Sequence, residues 1–173
     1  LMKHAEALTS ITCSTVNSYN GLVPRVGGFE GGTVTWAPTN ITYGHNNRSA
    51  QFRLPQNRYC IENRAADMTM NVYLAFSMTL AAAVEGIKMK THPGKPTDQD
   101  LYNMTDKEFK KLGIKRLPRN LLMALEALKN DKLSDEVIGT VMKNSLLAYK
   151  NDEWERYHQA VTDWEVKEYL RLY

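Results

Sequence analysis

Four arginines and one carboxylate crowd a short span of this chain: Arg48, Arg53, Arg58 and Arg64 with Glu62. A guanidinium stays charged and presents a planar fork of donors, so this density suits oxyanions, phosphate above all. Between residues 50 and 54 the apolar Phe52 and Leu54 alternate with Gln51 and Arg53; between 58 and 64, Tyr59 and Ile61 alternate with Cys60, Glu62 and Arg64. A period of two predicts strands. If the two pair through Pro55, Gln56 and Asn57, Arg53 shares one face with Glu62 and Arg64, while Tyr59, Ile61, Phe52 and Leu54 pack behind. For a generic strand pair the same pattern more often marks a solvated outer face laced with ion pairs, each worth under ~1 kcal/mol. The spacing alone leaves both readings open.

The elements that must carry these residues are legible in outline. Residues 13–32 hold Gly21, Pro24, Gly27, Gly28, Gly31 and Gly32, which reads as a loop, either a flap that approaches a ligand closely or an ordinary surface loop. Strands are expected near 33–36, 50–54 and 58–63. Asn71 is placed to cap a helix over 72–87. That helix is apolar on nearly every side, which predicts burial. Residues 88–118 read as a polar loop with a short helix after Thr105, whose spacing to Glu108 suits a capping box. Helices are expected over about 119–129 and 135–159. A last one is marked by Thr162 and Glu165, with Val161 and Val166 positioned for a hydrophobic staple. Tyr149, Trp154, Tyr157, Trp164 and Tyr169 are expected to pack. Leu1, Met2, Ala5, Leu8 and Ile11 follow helical spacing from the first residue, so the chain is expected to begin inside a helix.

Composition narrows the partners. A chain of 173 residues with 43% hydrophobic content can bury one moderate core, and neither an internal repeat nor a second domain is visible. A net charge of +3 is mild and is dispersed among 19 acidic residues, which argues against nucleic acid as a partner. The most apolar stretch, 72–84, is interrupted by Ser77 and Thr79 and falls short of a membrane span of ~20 residues. No secretory signal is seen in this portion of sequence. Cys13 and Cys60 form no CxxC or zinc spacing, so reduced thiols in the cytoplasm are the default. His4, His45, His92 and His158 have no partner at metal-ligand spacing.

The order of short motifs says more than any one of them. Asn46, Asn47, Arg48, Ser49 and Ala50, then Arg53 with Pro55, then Glu62 with Arg64, sit inside a longer series. It starts with His4, Ala5, Glu6, Ala7 and Leu8, passes Asn17, Ser18, Tyr19 and then Leu22, Val23, Pro24, and continues with Asn71, Tyr73, Leu74 and Ala75. Glu85, Gly86 and Ile87 follow, then His92, Pro93 and Gly94, Asp100, Leu101 and Tyr102, and finally Trp154, Glu155 and Arg156 and Trp164 with Glu165. In this order the motifs resemble the carboxyl-terminal half of the glutamine synthetase family. These are ATP-dependent ligases that join the side-chain carboxylate of glutamate to ammonia or an amine. Thr35, Trp36, Ala37 and Pro38 ahead of Tyr43 look most like the branch with type III-like synthetases and γ-glutamyl-alkylamide or anilide synthetases.

The resemblance implies an α+β fold in which residues 1–173 are the carboxyl-terminal part of a single catalytic domain, antiparallel strands of a barrel-like sheet wrapped by helices. The amino-terminal domain and the first part of the catalytic domain would lie outside the chain. It further implies a large ring-shaped homo-oligomer in the cytoplasm, ATP as co-substrate, Mg²⁺ or Mn²⁺, and a γ-glutamyl phosphate intermediate. Matched residue by residue, Arg48 resembles the arginine near the transferred phosphate, Arg53 one that contacts the nucleotide phosphates, Arg64 one that binds glutamate or the intermediate, and Glu62 a metal ligand. Glu30 resembles the flap glutamate that shields the acyl phosphate and helps deprotonate the amine, although Gly31 and Gly32 replace the usual Ala-Pro after it. Gly21 stands where many members carry an arginine for the α-carboxylate, a task Arg25 is near enough to take over. Cys60 replaces a common arginine, for which Arg58 can compensate. Tyr102 lies where some bacterial members are adenylylated. Gly21 and Cys60 also keep open a family member that has lost catalysis and serves a structural or regulatory role.

Overall fold

The computed structural model describes residues 1–23, 36–102 and 104–172. A 3-10 turn, Met2–His4, leads into helix α1, Ala5–Thr12, and a second 3-10 segment, Val16–Leu22, is opened by a capping box between Thr15 and Ser18. Strands β1 (Asn40–Gly44), β2 (Ala50–Arg53) and β3 (Glu62–Asn63) precede helix α2 (Val72–Lys88). Helix α3 (Asp106–Leu112) and strand β4 (Lys115–Arg116) follow, then α4 (Leu121–Asn130), α5 (Lys132–Ile138), α6 (Thr140–Gln159) and α7 (Asp163–Tyr169). The class is α+β, as expected.

The sheet runs in the order β3-β2-β1-β4. β2 and β3 pair antiparallel with Arg53 opposite Glu62, as the alternation predicted. β1 and β2 run parallel, so the sheet is mixed and open rather than antiparallel throughout. Parallel neighbours ordinarily need a crossover of a dozen residues or more; here residues 45–49 double back within five. Asn47 holds that return: its Oδ1 accepts from Ser49 N at 2.8 Å, and its Nδ2 donates to Thr97 O and Gln99 O at 2.7 and 2.9 Å.

Two strand expectations are corrected. β1 was not anticipated because its inward positions are polar: Asn40 and Thr42 are buried while Ile41 and Tyr43 are only half so. Conversely, the stretch 58–63 is a strand only at Glu62 and Asn63. A tight turn in which Cys60 N donates to Arg58 O at 3.1 Å lifts the preceding residues off the sheet, leaving Tyr59 and Ile61 exposed rather than packed behind it. Of the 33–36 strand only Trp36 is described, and it is irregular.

Helix α2 begins as expected, with Asn71 Oδ1 accepting from Tyr73 N and Leu74 N at 3.0 and 3.2 Å. It is not enclosed. Ala75, Met78 and Ala82 are buried, but Tyr73, Phe76, Leu80, Val84 and Ile87 are exposed among the described residues. The expected helix over 135–159 is two, because Gly139 adopts φ +80° and breaks it. The capping boxes of Thr105 with Glu108 and Thr162 with Glu165 form, whereas Val161 and Val166 stay exposed. Of the aromatic residues expected to pack, Trp154 does so; Tyr149, Tyr157, Trp164 and Tyr169 are exposed.

α1 joins two apolar clusters. Ala5, Leu8 and Ile11 pack with Phe52 of β2, Met78 of α2 and Leu128 of α4, while Cys13, just past its end, joins Tyr19, Ala65, Leu117, Leu121 and Leu125. β2 is therefore anchored from behind by Phe52, which fixes where Arg53 emerges. At the start of the chain the buried His4 lies between carboxylates, Nδ1 2.6 Å from Asp131 Oδ2 and Nε2 2.6 Å from Glu85 Oε2. It ties α1 to α2 and to the α4–α5 junction.

Candidate functional site

The β2–β3 register puts Arg53 and Glu62 side by side. Arg53 Nη1 donates to Glu62 Oε2 at 3.2 Å and its Nε reaches His45 O at 3.4 Å. Arg58, in the turn before β3, donates from Nη2 to the other Glu62 oxygen. Partial desolvation alone would raise the Glu62 pKa, but the hydrogen bonds from Arg58 and Arg53 outweigh it and hold the carboxyl below its ordinary value. Glu62 is thus an ionised carboxylate bridging two guanidiniums.

Arg64 extends the ladder, its backbone N donating to Gln51 O at 2.8 Å. Its guanidinium turns toward backbone carbonyls: Nη1 donates to Arg48 O, and Nη2 to Trp36 O at 2.9 Å. Burial lowers the Arg64 pKa, with Tyr102 opposing and Arg48 adding to that shift. Arg48 itself lies over the Trp36 ring, its guanidinium carbon 5.2 Å from the centroid. The four sequence-predicted arginines and Glu62 therefore meet at one corner of the sheet.

Behind this corner the loop 94–99 is drawn tightly onto β1. His45 N donates to Asp98 Oδ1 at 2.6 Å, His45 Nδ1 is 3.1 Å from Asp98 Oδ2, and Thr97 N donates to Tyr43 O at 2.8 Å. Gly44 sits under this crossing, where a Cβ would come within 2.6 Å of Thr97 O. Farther along, Tyr102 donates its hydroxyl to Ala37 O at 2.6 Å, with its ring 6.5 Å from that of Trp36. Burial raises the Tyr102 pKa against the opposing pull of Arg64, so the phenol keeps its proton at neutral pH.

Arg25 and Glu30, together with the glycines at 27, 28, 31 and 32, lie outside the described residues. Gly21 is described and exposed near the end of the second 3-10 segment, and a Cβ there would meet nothing within 4 Å. Glu62 offers one hard oxygen ligand of the kind Mg²⁺ and Mn²⁺ take. Among the described residues no group of three or more His, Cys, Asp or Glu converges on a common point, so the rest of a coordination shell would have to come from elsewhere. The sequence reading did not find the contacts of Trp36, Asp98 and Tyr102. No local pattern signals them: Trp36 meets Arg64 across 28 residues, Asp98 meets His45 across 53 and Tyr102 meets Ala37 across 65.

Comparison with known proteins gives concordant results. Residues 1–169 match the family model described as glutamine synthetase, catalytic domain. The chain is 41% identical over 173 residues to glutamine synthetase of Methanocaldococcus jannaschii, covering 98% of this chain and 36% of that protein. It is 42% identical over 173 residues to glutamate–methylamine ligase of Methyloversatilis universalis, covering 100% and 38%. A solved structure of a GmaS/ADP complex superimposes with a TM-score of 0.81 at 34% identity, over 99% of this chain and 38% of that one. The chain thus spans well under half the length of these relatives.

Proposed function

The chain belongs to the glutamine synthetase family, within the carboxyl-terminal portion of its catalytic domain, and on that premise we propose that it works as part of one catalytic domain in an ATP-dependent glutamate ligase. The observation that carries this reading is the gathering of four arginines at one corner of the sheet: Arg53 and Arg58 on Glu62, and Arg64 beside them on the carbonyls of Arg48 and Trp36. A corner of this kind favours triphosphate and carboxylate ligands.

In the proposed reaction an oxygen of the glutamate γ-carboxylate attacks the terminal phosphorus of ATP, the bond to the bridging oxygen breaks, and ADP leaves. The nitrogen of ammonia or a small amine then attacks the acyl carbon, inorganic phosphate departs, and the nitrogen gives up a proton. Negative charge accumulates on phosphoryl oxygens in the first step, where guanidiniums fixed in advance are most effective. Arg48 acts on the transferred phosphoryl group, Arg53 and Arg58 on the nucleotide phosphates, and Arg64 on glutamate or the acyl phosphate. Arg25 and Glu30 keep the α-carboxylate and flap roles that the family motif suggests. Mg²⁺ or Mn²⁺, with Glu62 as one ligand, would neutralise the triphosphate. Assembly into a ring of identical subunits in the cytoplasm belongs to the same proposal; no described helix is long and apolar enough to cross a membrane.

A second reading concerns the nucleophile. The chain is as similar to glutamate–methylamine ligase, at 42% identity, as to glutamine synthetase, at 41%, so methylamine or another small amine stands beside ammonia as the candidate nucleophile.

Arg48→Lys in the full-length enzyme tests the central claim. It keeps the charge and removes the fork, so kcat is expected to fall by more than tenfold with the KM for ATP changing little. A large rise in KM at unaltered kcat would move Arg48 to ground-state nucleotide binding. No ATP-dependent amide formation by the wild type would favour the non-catalytic alternative.

A further inference from the structure

Two of the arginines described above depend on one residue that no family motif role covers. Arg48 lies over the Trp36 ring at 5.2 Å, and Arg64 donates to the carbonyl of the same tryptophan at 2.9 Å. Arg64 also donates to Arg48 O, closing a triangle among the three residues. Trp36 is exposed, so its own burial does not hold it in place. The neighbouring residue is held instead: Ala37 is buried, its carbonyl accepts from the Tyr102 hydroxyl at 2.6 Å, and Pro38 restricts its backbone to extended conformations. Tyr102 is fixed in turn, its backbone N donating to Asp100 Oδ1 at 2.9 Å and its ring tilted 54° against Trp36 at 6.5 Å.

We propose that Trp36 and Tyr102 are positioning residues for the ligase reaction: Trp36 is a shared platform that sets Arg48 by its ring and Arg64 by its carbonyl, and Tyr102 holds that platform through Ala37. The two attachments differ in kind, so they separate experimentally. The ring serves Arg48 through the attraction of a cation to an aromatic face, which another aromatic side chain can supply. The carbonyl serves Arg64 and is indifferent to the side chain at position 36, but it moves with the backbone that Tyr102 fixes. This inference rests on the ligase reading of the arginines.

The test uses the full-length enzyme with Trp36→Leu, Trp36→Phe, Tyr102→Phe and, as references, Arg48→Lys and Arg64→Lys. Trp36→Leu is expected to lower kcat roughly 3- to 30-fold with the KM for ATP within about twofold, and Trp36→Phe to recover most of that loss. Tyr102→Phe removes one neutral hydrogen bond and is expected to raise the KM for glutamate roughly 2- to 12-fold through Arg64. A readout independent of turnover is the tryptophan emission change on titration with ADP and Mg²⁺, expected in the wild type, smaller in Tyr102→Phe and strongly reduced in Trp36→Phe. If the two arginine references lose activity while the Trp36 and Tyr102 variants match the wild type in kinetics and emission, the platform is refuted and the ligase reading stands. If the arginine references themselves match the wild type, both fall together. Should Trp36→Leu fail to fold, Trp36→Phe, which keeps an aromatic face, and the near-isosteric Tyr102→Phe decide by emission and by the KM for glutamate.

Discussion

Gly44→Ala puts a methyl group where the 94–99 loop crosses the end of β1. An ideal Cβ there lies 2.6 Å from Thr97 O, 2.8 Å from Asp98 Oδ1 and 3.0 Å from Asn47 Cβ, whereas ordinary contact begins at 3.4 Å. The Asp98 carboxylate can swing aside. The Thr97 carbonyl cannot, because it accepts from Asn47 Nδ2 at 2.7 Å and its own N–H is bound to Tyr43 O at 2.8 Å. Relief needs a shift of about 0.8 Å in that backbone, and overpacking of this order costs about 1–3 kcal/mol. Alanine returns only about 0.4–1 kcal/mol by stiffening the unfolded chain. The net loss, about 1.3 kcal/mol from the midpoints of those ranges, should raise the population of locally opened states, and so exchange, roughly tenfold. Hydrogen exchange followed by mass spectrometry on the full-length enzyme reads this at the amides of His45, Leu54 and Thr97, with α4 as an unaffected reference. Arg53 Nε rests on His45 O, so on the nucleotide role proposed for Arg53 the KM for ATP should rise as well. Exchange at those amides equal to or slower than in the wild type would show that the loop has room for the methyl group and that the close crossing does not constrain the site.

Two further expectations concern the helical side and the acid pocket. Hydrogen bonds from Lys3 and then His4 hold the Glu85 carboxyl at about 2, below its ordinary 4.5; the folded value is depressed, so this contribution is complete above about pH 4.5 and is lost as pH falls toward about 2. Glu85→Gln should therefore flatten the acid limb of a stability-versus-pH profile, and parallel profiles would rule the linkage out. Gly21→Arg, at a position where a Cβ would meet nothing within 4 Å, should lower the KM for glutamate roughly tenfold or more if the added guanidinium reaches the α-carboxylate. ATP-dependent product formation from ammonia, methylamine and longer alkylamines, with kinetics indifferent to the substitution, would dispose of that idea.

What the sequence revealed follows the range of the interactions involved. Asn71, Thr105 and Thr162 cap their helices as read, because a cap needs only residues two or three positions away. The Arg53–Glu62 pairing was also readable, since a short connection and a period of two fix a register. β1 was hidden because Asn40 and Thr42 point inward and satisfy themselves on Thr39 and Thr97, so no apolar stripe marks it. The apolar surface of α2 was read as a buried helix because composition records what prefers burial, not what covers it. Gly139 was read through as an ordinary helical position although its φ of +80° ends α5. Tyr102 finds Ala37 across 65 residues, a contact that no local pattern encodes.

Carbonyl oxygens orient a guanidinium without cancelling its charge, and that has a consequence at long range. Arg64 is held by Arg48 O and Trp36 O, and Arg53 is held in part by His45 O; the carboxylate within the cluster is Glu62. Taking these four arginines and one glutamate out of the 22 basic and 19 acidic residues of the chain leaves 18 of each. The corner of the sheet therefore carries a formal charge of +3, as large as the excess of the whole chain. A polyanion approaching this part of the molecule meets a focused field rather than a diffuse one, which raises the encounter rate and biases its orientation before contact. That advantage fades as ionic strength shortens the Debye length, already about 8 Å at 0.15 M.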